Sequence, residues 1–273
     1  MLVEKNKKRV IRIVVAAIVV AALVIGCLFY VNDYYRASAK ARETMQGNEL
    51  VEVIEEATYY RFQLKTEAGE PEDTEIVEDA EDAKDSKDVD DASLWRSKRG
   101  IIFYPGGKVE ETAYAPLLME LAEMGYEVYL VKMPAKLAIF GMNRADEIIE
   151  NADYIEEWIM MGHSLGGAMA ASYSASHDEA IDGLVLLAAY STENLKDKEI
   201  DVFSFYGSED QVLNMEKYKE YYSNLPEDTL EIIIDGGNHA YYGYYGEQEG
   251  DGSATISREE QIEAVVNAFV TTW

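Results

Sequence analysis

The alternation of apolar and polar positions divides the chain into unlike stretches. Ile13 to Val31 is an unbroken run of 19 uncharged, almost wholly apolar residues. As a helix it would extend ~29 Å, close to the thickness of a hydrocarbon core. Residues 36–57 are mostly polar and predict a helical stem, with Leu50, Val51, Val53 and Ile54 leading into a strand over Thr58 to Leu64. From Arg99 onward short apolar runs alternate with amphipathic segments, the rhythm of an α/β domain with a mostly parallel sheet covered by helices on both faces. The runs predict strands over Ile101 to Tyr104, Tyr126 to Val131, Trp158 to Met161, Leu184 to Ala188, Val202 to Tyr206 and Leu230 to Ile234. Tyr114, Leu117, Leu118 and Leu121 recur at helical spacing, as do Ile262, Val265, Val266 and Phe269, and Ser257 with Glu260 forms a capping box for the last helix. The expected division is a basic cytoplasmic segment 1–12, a transmembrane anchor 13–31, a stem 32–57, a linker 58–98 and one α/β domain 99–273.

Charge orients this division. Lys5, Lys7, Lys8, Arg9 and Arg12 precede the apolar run, so the positive-inside rule keeps the N-terminus in the cytoplasm and sends everything after Tyr35 outside the cell. A cleaved secretory signal is the plainer alternative, but the run is long and no small-residue cleavage site is followed by polar chain. A second alternative is a lipoprotein. Val24-Ile25-Gly26-Cys27 resembles a lipoprotein signal-peptidase box, although Leu28 to Val31 continue apolar past Cys27. Glu67 to Asp91 carries 13 acidic residues against Lys84 and Lys87, and is expected to be a solvated acidic loop without chemistry. The net charge of −28 excludes a nucleic-acid partner, since a phosphate backbone would be repelled. Cys27 is the single cysteine, so neither an internal disulfide nor a cysteine-rich metal site is available.

The chemistry-bearing motif is Gly162-His163-Ser164-Leu165-Gly166, a G-x-S-x-G pentapeptide with an apolar run before it and small residues after it. That is the context of a strand-to-helix nucleophile elbow, in which flanking glycines relieve crowding and expose the serine hydroxyl above the strand ends. A serine hydroxyl needs a base within hydrogen-bond reach and an acid to orient that base. Of the three histidines, His163 lies inside the elbow, His177 closes the following helix, and His239 lies in a glycine-rich loop directly after the last apolar strand. His239 is therefore the expected base. Asp210, four residues past the strand ending at Tyr206, is the favoured acid, with Glu209 and Asp235 as competing carboxylates. The order Ser, Asp, His along the chain fits that assignment.

From about Gly100 to Trp273 the chain resembles the α/β-hydrolase superfamily, in particular the small bacterial group known as α/β-hydrolase family 5. The segments that carry the resemblance are IIFYPGGKVEETAYAPLL, LVKMP, GHSLGGAMAA, DGLVLLAAY, YGSED, GGNHA and GDGSATISREEQ. The resemblance implies the triad Ser164, Asp210 and His239. It also places a glycine-rich oxyanion loop at Pro105 to Lys108, so the oxyanion hole is expected from the backbone N–H groups of Leu165 and Gly107, with Gly106 or Lys108 as alternatives to the latter. The expected activity is hydrolysis of a small-molecule carboxylic ester through an acyl-enzyme, with no metal or organic cofactor. Acyl transfer to another acceptor and a non-catalytic surface binding module on the same fold are the alternatives. Only about a dozen residues, Tyr190 to Asp201, occupy the place where larger hydrolases insert a lid, which predicts an open site. The aromatic run Tyr241 to Tyr245 either lines that site or packs beneath it.

Overall fold

The structure, a computed structural model, describes residues 2–65 and 98–272. It forms two units, residues 1–35 and residues 36–273. The first unit is α1 (Leu2–Asn32). Arg12–Asn32 is 21 residues long with a mean hydropathy of 2.9 and none of it is buried, so by length and composition it qualifies as a membrane span or a signal sequence. Cys27 is an exposed free thiol on this helix. The acidic segment Glu67 to Asp91 lies outside the described residues.

The second unit is built on an eight-stranded sheet in the order β1-β2-β4-β3-β5-β6-β7-β8. Its strands are β1 (Val51–Glu55), β2 (Tyr59–Leu64), β3 (Arg99–Tyr104), β4 (Glu127–Val131), β5 (Glu157–His163), β6 (Gly183–Leu187), β7 (Asp201–Gly207) and β8 (Leu230–Ile234). All pairs from β4 through β3 to β8 are parallel, whereas β1 with β2 and β2 with β4 are antiparallel. Six of these strands coincide, within two residues at each end, with the apolar runs of the α/β region, and β2 coincides with the run ending at Leu64. Central strands buried on both faces read as continuous apolar sequence, which is why they are visible without a structure.

The segment read as a stem differs. It holds a short helix, α2 (Ala39–Thr44), and the edge strand β1, both inside the same compact unit as the rest of the sheet. Val51 pairs with Leu64 and is fully buried, as is Phe62 across the hairpin. Only one residue of β1 is buried, although Val53 and Ile54 are also apolar. Its place is set by pairing with β2 rather than by its own pattern.

Alternate residues of the central strands feed two faces. Ile102, Tyr104, Met160, Leu184 and Leu186 join one core cluster with Ala145 and Ile148 of α4 (Arg144–Asn151) and with Ala170 and Ala171 of α5 (Leu165–Ser176). On the other face, Phe103 packs on Tyr114 just before α3 (Ala115–Glu123), and Tyr126 meets Phe269 of α7 (Arg258–Thr272) edge to face. The capping box forms: the Ser257 N–H donates to Glu260 Oε2 at 2.7 Å and the Glu260 N–H donates to Ser257 Oγ at 3.2 Å. α6 (Met215–Tyr221) is tied to β7 through the Tyr218 and Ser204 hydroxyls, 2.9 Å apart.

Candidate active site

Parallel strands end together at one edge of the sheet, and their following loops meet there. All five non-glycine residues with left-handed φ among the described residues lie in those loops: Lys108 (58°), Ala135 (52°), Lys136 (57°), Ser164 (52°) and Ala188 (47°). They follow β3, β4, β5 and β6. Such conformations cost on the order of 1–3 kcal/mol each and gather where a site requires them.

Ser164 occupies the turn between β5 and α5 with φ 52° and ψ −121°. Its N–H donates to Leu187 O on neighbouring β6 at 2.9 Å, which pins the turn to the sheet. The glycines around it are required by close approach. A Cβ on Gly162 would lie 2.6 Å from the Gly166 carbonyl, one on Gly166 would lie 2.1 Å from Tyr104 O, and one on Gly167 would lie 2.5 Å from Ala189 Cβ. Gly162 thus relieves crowding within the turn itself. Gly166 and Gly167 instead let α5 press onto β3 and the residues after β6, a requirement that comes from neighbouring strands.

Asp210 and His239 are brought together by loops that follow β7 and β8. His239 Nδ1 lies 2.8 Å from Asp210 Oδ2, with side chains 2% and 0% exposed. Asp210 Oδ1 accepts the N–H groups of Val212 and Leu213 at 2.9 and 2.8 Å, so both oxygens of the carboxylate are engaged and its orientation is fixed. The competing carboxylates do not take this place: Asp235 is exposed, and Glu209 faces Ser208. With Nδ1 on the carboxylate, His239 Nε2 is left buried without a partner, the nitrogen that a base needs free. The two loops are zipped by backbone contact. The Glu209 N–H donates to Gly237 O at 2.8 Å, and a Cβ on Gly207 would lie 2.2 Å from Gly237.

The loop Pro105 to Lys108 lies against the start of α5, and a Cβ on Gly107 would lie 3.1 Å from Leu165 Cδ2. The Gly106 N–H donates to Tyr114 Oη at 3.1 Å, and the Lys108 N–H donates to Lys136 O at 2.8 Å. Among the described residues no acceptor holds the Gly107 N–H, and Leu165, the first residue of α5, has no partner within the helix for its N–H. Of the N–H groups of Gly106, Gly107 and Lys108, that of Gly107 is the one with no acceptor among the described residues. Beside it stand Leu137, 3.8 Å from the same Cβ position, and the turn Ala138–Phe140, where Ile139 and Phe140 are 58% and 65% exposed.

The other two histidines are placed away from the acid. His177 stacks on Tyr173 at 4.1 Å at the far end of α5. His163 is buried, its Nδ1 2.8 Å from Tyr114 Oη and its ring 4.6 Å from the His239 ring and 5.5 Å from the Tyr242 ring. Burial, and then the neighbouring His239, hold the His163 ring well below the usual imidazole pKa. The aromatic run packs beneath the loop: Tyr242, Tyr244 and Tyr245 are all buried, and the Arg258 guanidinium covers Tyr241 at 4.2 Å.

Three supporting residues have no local signal in the sequence. Asp251 accepts the N–H groups of His239 (3.2 Å) and Ala240 (2.8 Å). Gln261 accepts the Asn238 N–H at 2.9 Å and donates to Asn238 O at 2.8 Å, and Asn238 Nδ2 donates to Gly252 O at 2.8 Å. They lie in two of the segments that carry the family resemblance, but their partners are 11 to 23 residues away. No group of three or more His, Cys, Asp or Glu side chains among the described residues is arranged to hold a metal ion.

Comparison with known proteins matches this architecture. A predicted CIB-like hydrolase from Thermoplasma acidophilum superimposes with a TM-score of 0.53 at 18% identity, covering 81% of this chain and 99% of that one. The monoacylglycerol lipase of Paleococcus ferrophilus gives 0.52 at 15% identity, covering 64% and 95%. Est1E from Butyrivibrio proteoclasticus gives 0.51 at 14% identity, covering 82% and 98%. At these identities the likeness is one of fold. None of the curated proteins matches the chain in sequence. The family model described as "Alpha/beta hydrolase family" matches residues 100–263, more than half of the chain and the whole of the site, and the chain belongs to that family.

Proposed function

We propose that this α/β hydrolase is a membrane-anchored serine hydrolase whose catalytic unit lies outside the cytoplasm and cleaves carboxylic esters through an acyl-enzyme on Ser164. The observation that carries the reading is the buried Asp210–His239 pair, which leaves His239 Nε2 unpartnered at the strand edge where Ser164 stands in a left-handed turn. In this reading Nε2 removes the Ser164 proton as Oγ attacks the ester carbonyl. The N–H groups of Leu165 and Gly107 receive the oxyanion, and the imidazolium returns its proton to the leaving alkoxide. Water, deprotonated by the same nitrogen, then attacks the acyl-enzyme and releases the acid, with the proton passing back to Ser164. Asp210 holds the imidazole orientation and steadies its positive charge.

The surroundings favour an apolar acyl group. Leu165 and Leu137 flank Gly107, and the exposed pair Ile139 and Phe140 follows within one turn. The monoacylglycerol lipase name of one structural neighbour agrees with an ester substrate. The membrane anchor rests on the apolar length of Arg12–Asn32 and on the basic residues before it, which favour a cytoplasmic N-terminus. The test is labelling of the full chain in detergent by a fluorophosphonate. Stoichiometric labelling that disappears in Ser164→Ala and His239→Ala supports the mechanism; a folded native chain that stays unlabelled overturns it.

A further inference from the structure

Tyr114 and His163 lie outside the triad, yet together they connect its separate parts. The Tyr114 hydroxyl is fully buried and meets two groups: it accepts the Gly106 N–H at 3.1 Å and contacts His163 Nδ1 at 2.8 Å. Having accepted from Gly106, the hydroxyl has its one proton left to donate, and His163 Nδ1 is the acceptor in reach. That assigns the His163 proton to Nε2. Among the described residues His163 Nε2 itself makes no hydrogen bond, and the ring meets the His239 loop by packing. The ring also stands 4.6 Å from the His239 imidazole. One unbroken chain of contacts therefore runs from the Gly106 peptide, through Tyr114 and His163, to the His239 loop.

We propose that Tyr114 and His163 are positioning residues that set the oxyanion loop and the His239 imidazole in register, an inference that rests on the serine-hydrolase reading above. By holding the Gly106 N–H, Tyr114 turns the next peptide so that the Gly107 N–H is the one left for the oxyanion. By accepting the Tyr114 proton on Nδ1, His163 remains neutral and keeps its ring against His239. Neutrality matters during turnover. When His239 takes the Ser164 proton, a second imidazolium 4.6 Å away would oppose that step, and burial of His163 prevents it. A side chain that only filled space here would need neither the hydroxyl of Tyr114 nor the acceptor of His163.

The test uses the full chain in detergent, turning over p-nitrophenyl butyrate, with active serines counted by fluorophosphonate titration. Counting serines separates lost folding from lost turnover per site. Tyr114→Phe keeps the ring and removes the hydroxyl; turnover per titrated serine is expected to fall about 10-fold with KM nearly unchanged, less than loss of a direct oxyanion donor causes. His163→Asn keeps an acceptor near the Nδ1 position, whereas His163→Gln of similar polarity does not, so Asn is expected to retain more turnover per serine than Gln. Combining Tyr114→Phe with His163→Gln is expected to cost little beyond either change alone, because both break the same connection. Native turnover per serine in Tyr114→Phe, or equal turnover in the Asn and Gln variants, overturns the positioning role. A native chain that the fluorophosphonate does not label overturns it together with the hydrolase reading.

Discussion

The serine turn and the histidine loop are both built on glycines, but only the loop is also held by side chains that reach its backbone from elsewhere in the chain. The turn from Gly162 to Gly167 is fixed by absent atoms: its glycines sit where any Cβ would strike a carbonyl or a neighbouring strand, at 2.1 to 2.6 Å. The loop from Asp235 to Gly252 is fixed by side chains that satisfy backbone groups at a distance, with Asp251 on the His239 and Ala240 N–H groups and Gln261 on both polar groups of the Asn238 backbone. Neither region tolerates added volume, since a Cβ on Gly236 or Gly252 of the loop would lie 2.3 Å from Thr255 Oγ1 or 1.8 Å from Glu209 O, but the loop depends in addition on these side-chain hydrogen bonds. His163 is where the two meet, one residue before Ser164 and packed on the His239 ring.

The sharpest separation of chemistry from architecture is Ser164→Ala. It removes the attacking atom without adding volume, so ester turnover is expected to fall on the order of 10⁶-fold while the thermal midpoint stays unchanged. Gly166→Ala breaks the turn by volume alone. Its Cβ would lie 2.1 Å from Tyr104 O and 2.4 Å from Pro105 O, both backbone atoms, and urea unfolding is expected to show a loss of about 3 kcal/mol or more. Gln261→Leu keeps approximate volume and deletes two buried hydrogen bonds to Asn238. A loss of about 2 kcal/mol is expected, with turnover reduced through the displaced His239. Native stability in Gln261→Leu would dissolve the contrast.

The junction itself has a pH signature. The folded state holds His163 well below its unfolded value of 6.5, so below about pH 6.5 the unfolded chain takes up a proton that the folded chain refuses. Its contribution to stability is complete above that pH and is lost as pH falls, by up to about 1.4 kcal/mol per pH unit until the folded pKa is reached. His163→Asn is expected to flatten this part of the stability profile, with Tyr114, His239 and Tyr242 still facing the position. The smallest effect belongs to the surface tie between α2 and α7. Lys40 Nζ and Tyr244 Oη hold the Glu259 carboxyl down at about 2, which adds stability above the ordinary carboxylate pKa and loses it as pH falls toward 2. The side chains are more than half exposed, so Lys40→Met is expected to cost less than about 1 kcal/mol at neutral pH in thermal unfolding.

Much of the fold was legible because buried parallel strands and amphipathic helices write their burial into the sequence. Six of the eight strands announced themselves as apolar runs, and β2 is expected as the strand that follows the stem. β1 does not read as a strand of its own: its Val51, Val53 and Ile54 are apolar but follow directly on the polar residues 36–49, and α2 and β1 consequently read as a stem. The serine turn could be read because its steric demand falls on glycines within a few positions of Ser164. The strand end favoured Asp210 over Glu209 and Asp235, as the family resemblance also implied, and the bond to His239 is made by Asp210.

What the sequence determined by itself is what local sterics and burial decide: the apolar N-terminal helix, the alternation that builds the parallel sheet, and the small-residue turn that exposes Ser164. The tertiary structure alone decided the rest. Hydrogen bonds between residues tens of positions apart leave no periodic trace in a single chain. Asp210 at His239 was expected from the strand end and the family resemblance, whereas Gln261 at Asn238 and the Tyr114–His163 connection became visible only when the strand ends were brought to one edge of the sheet.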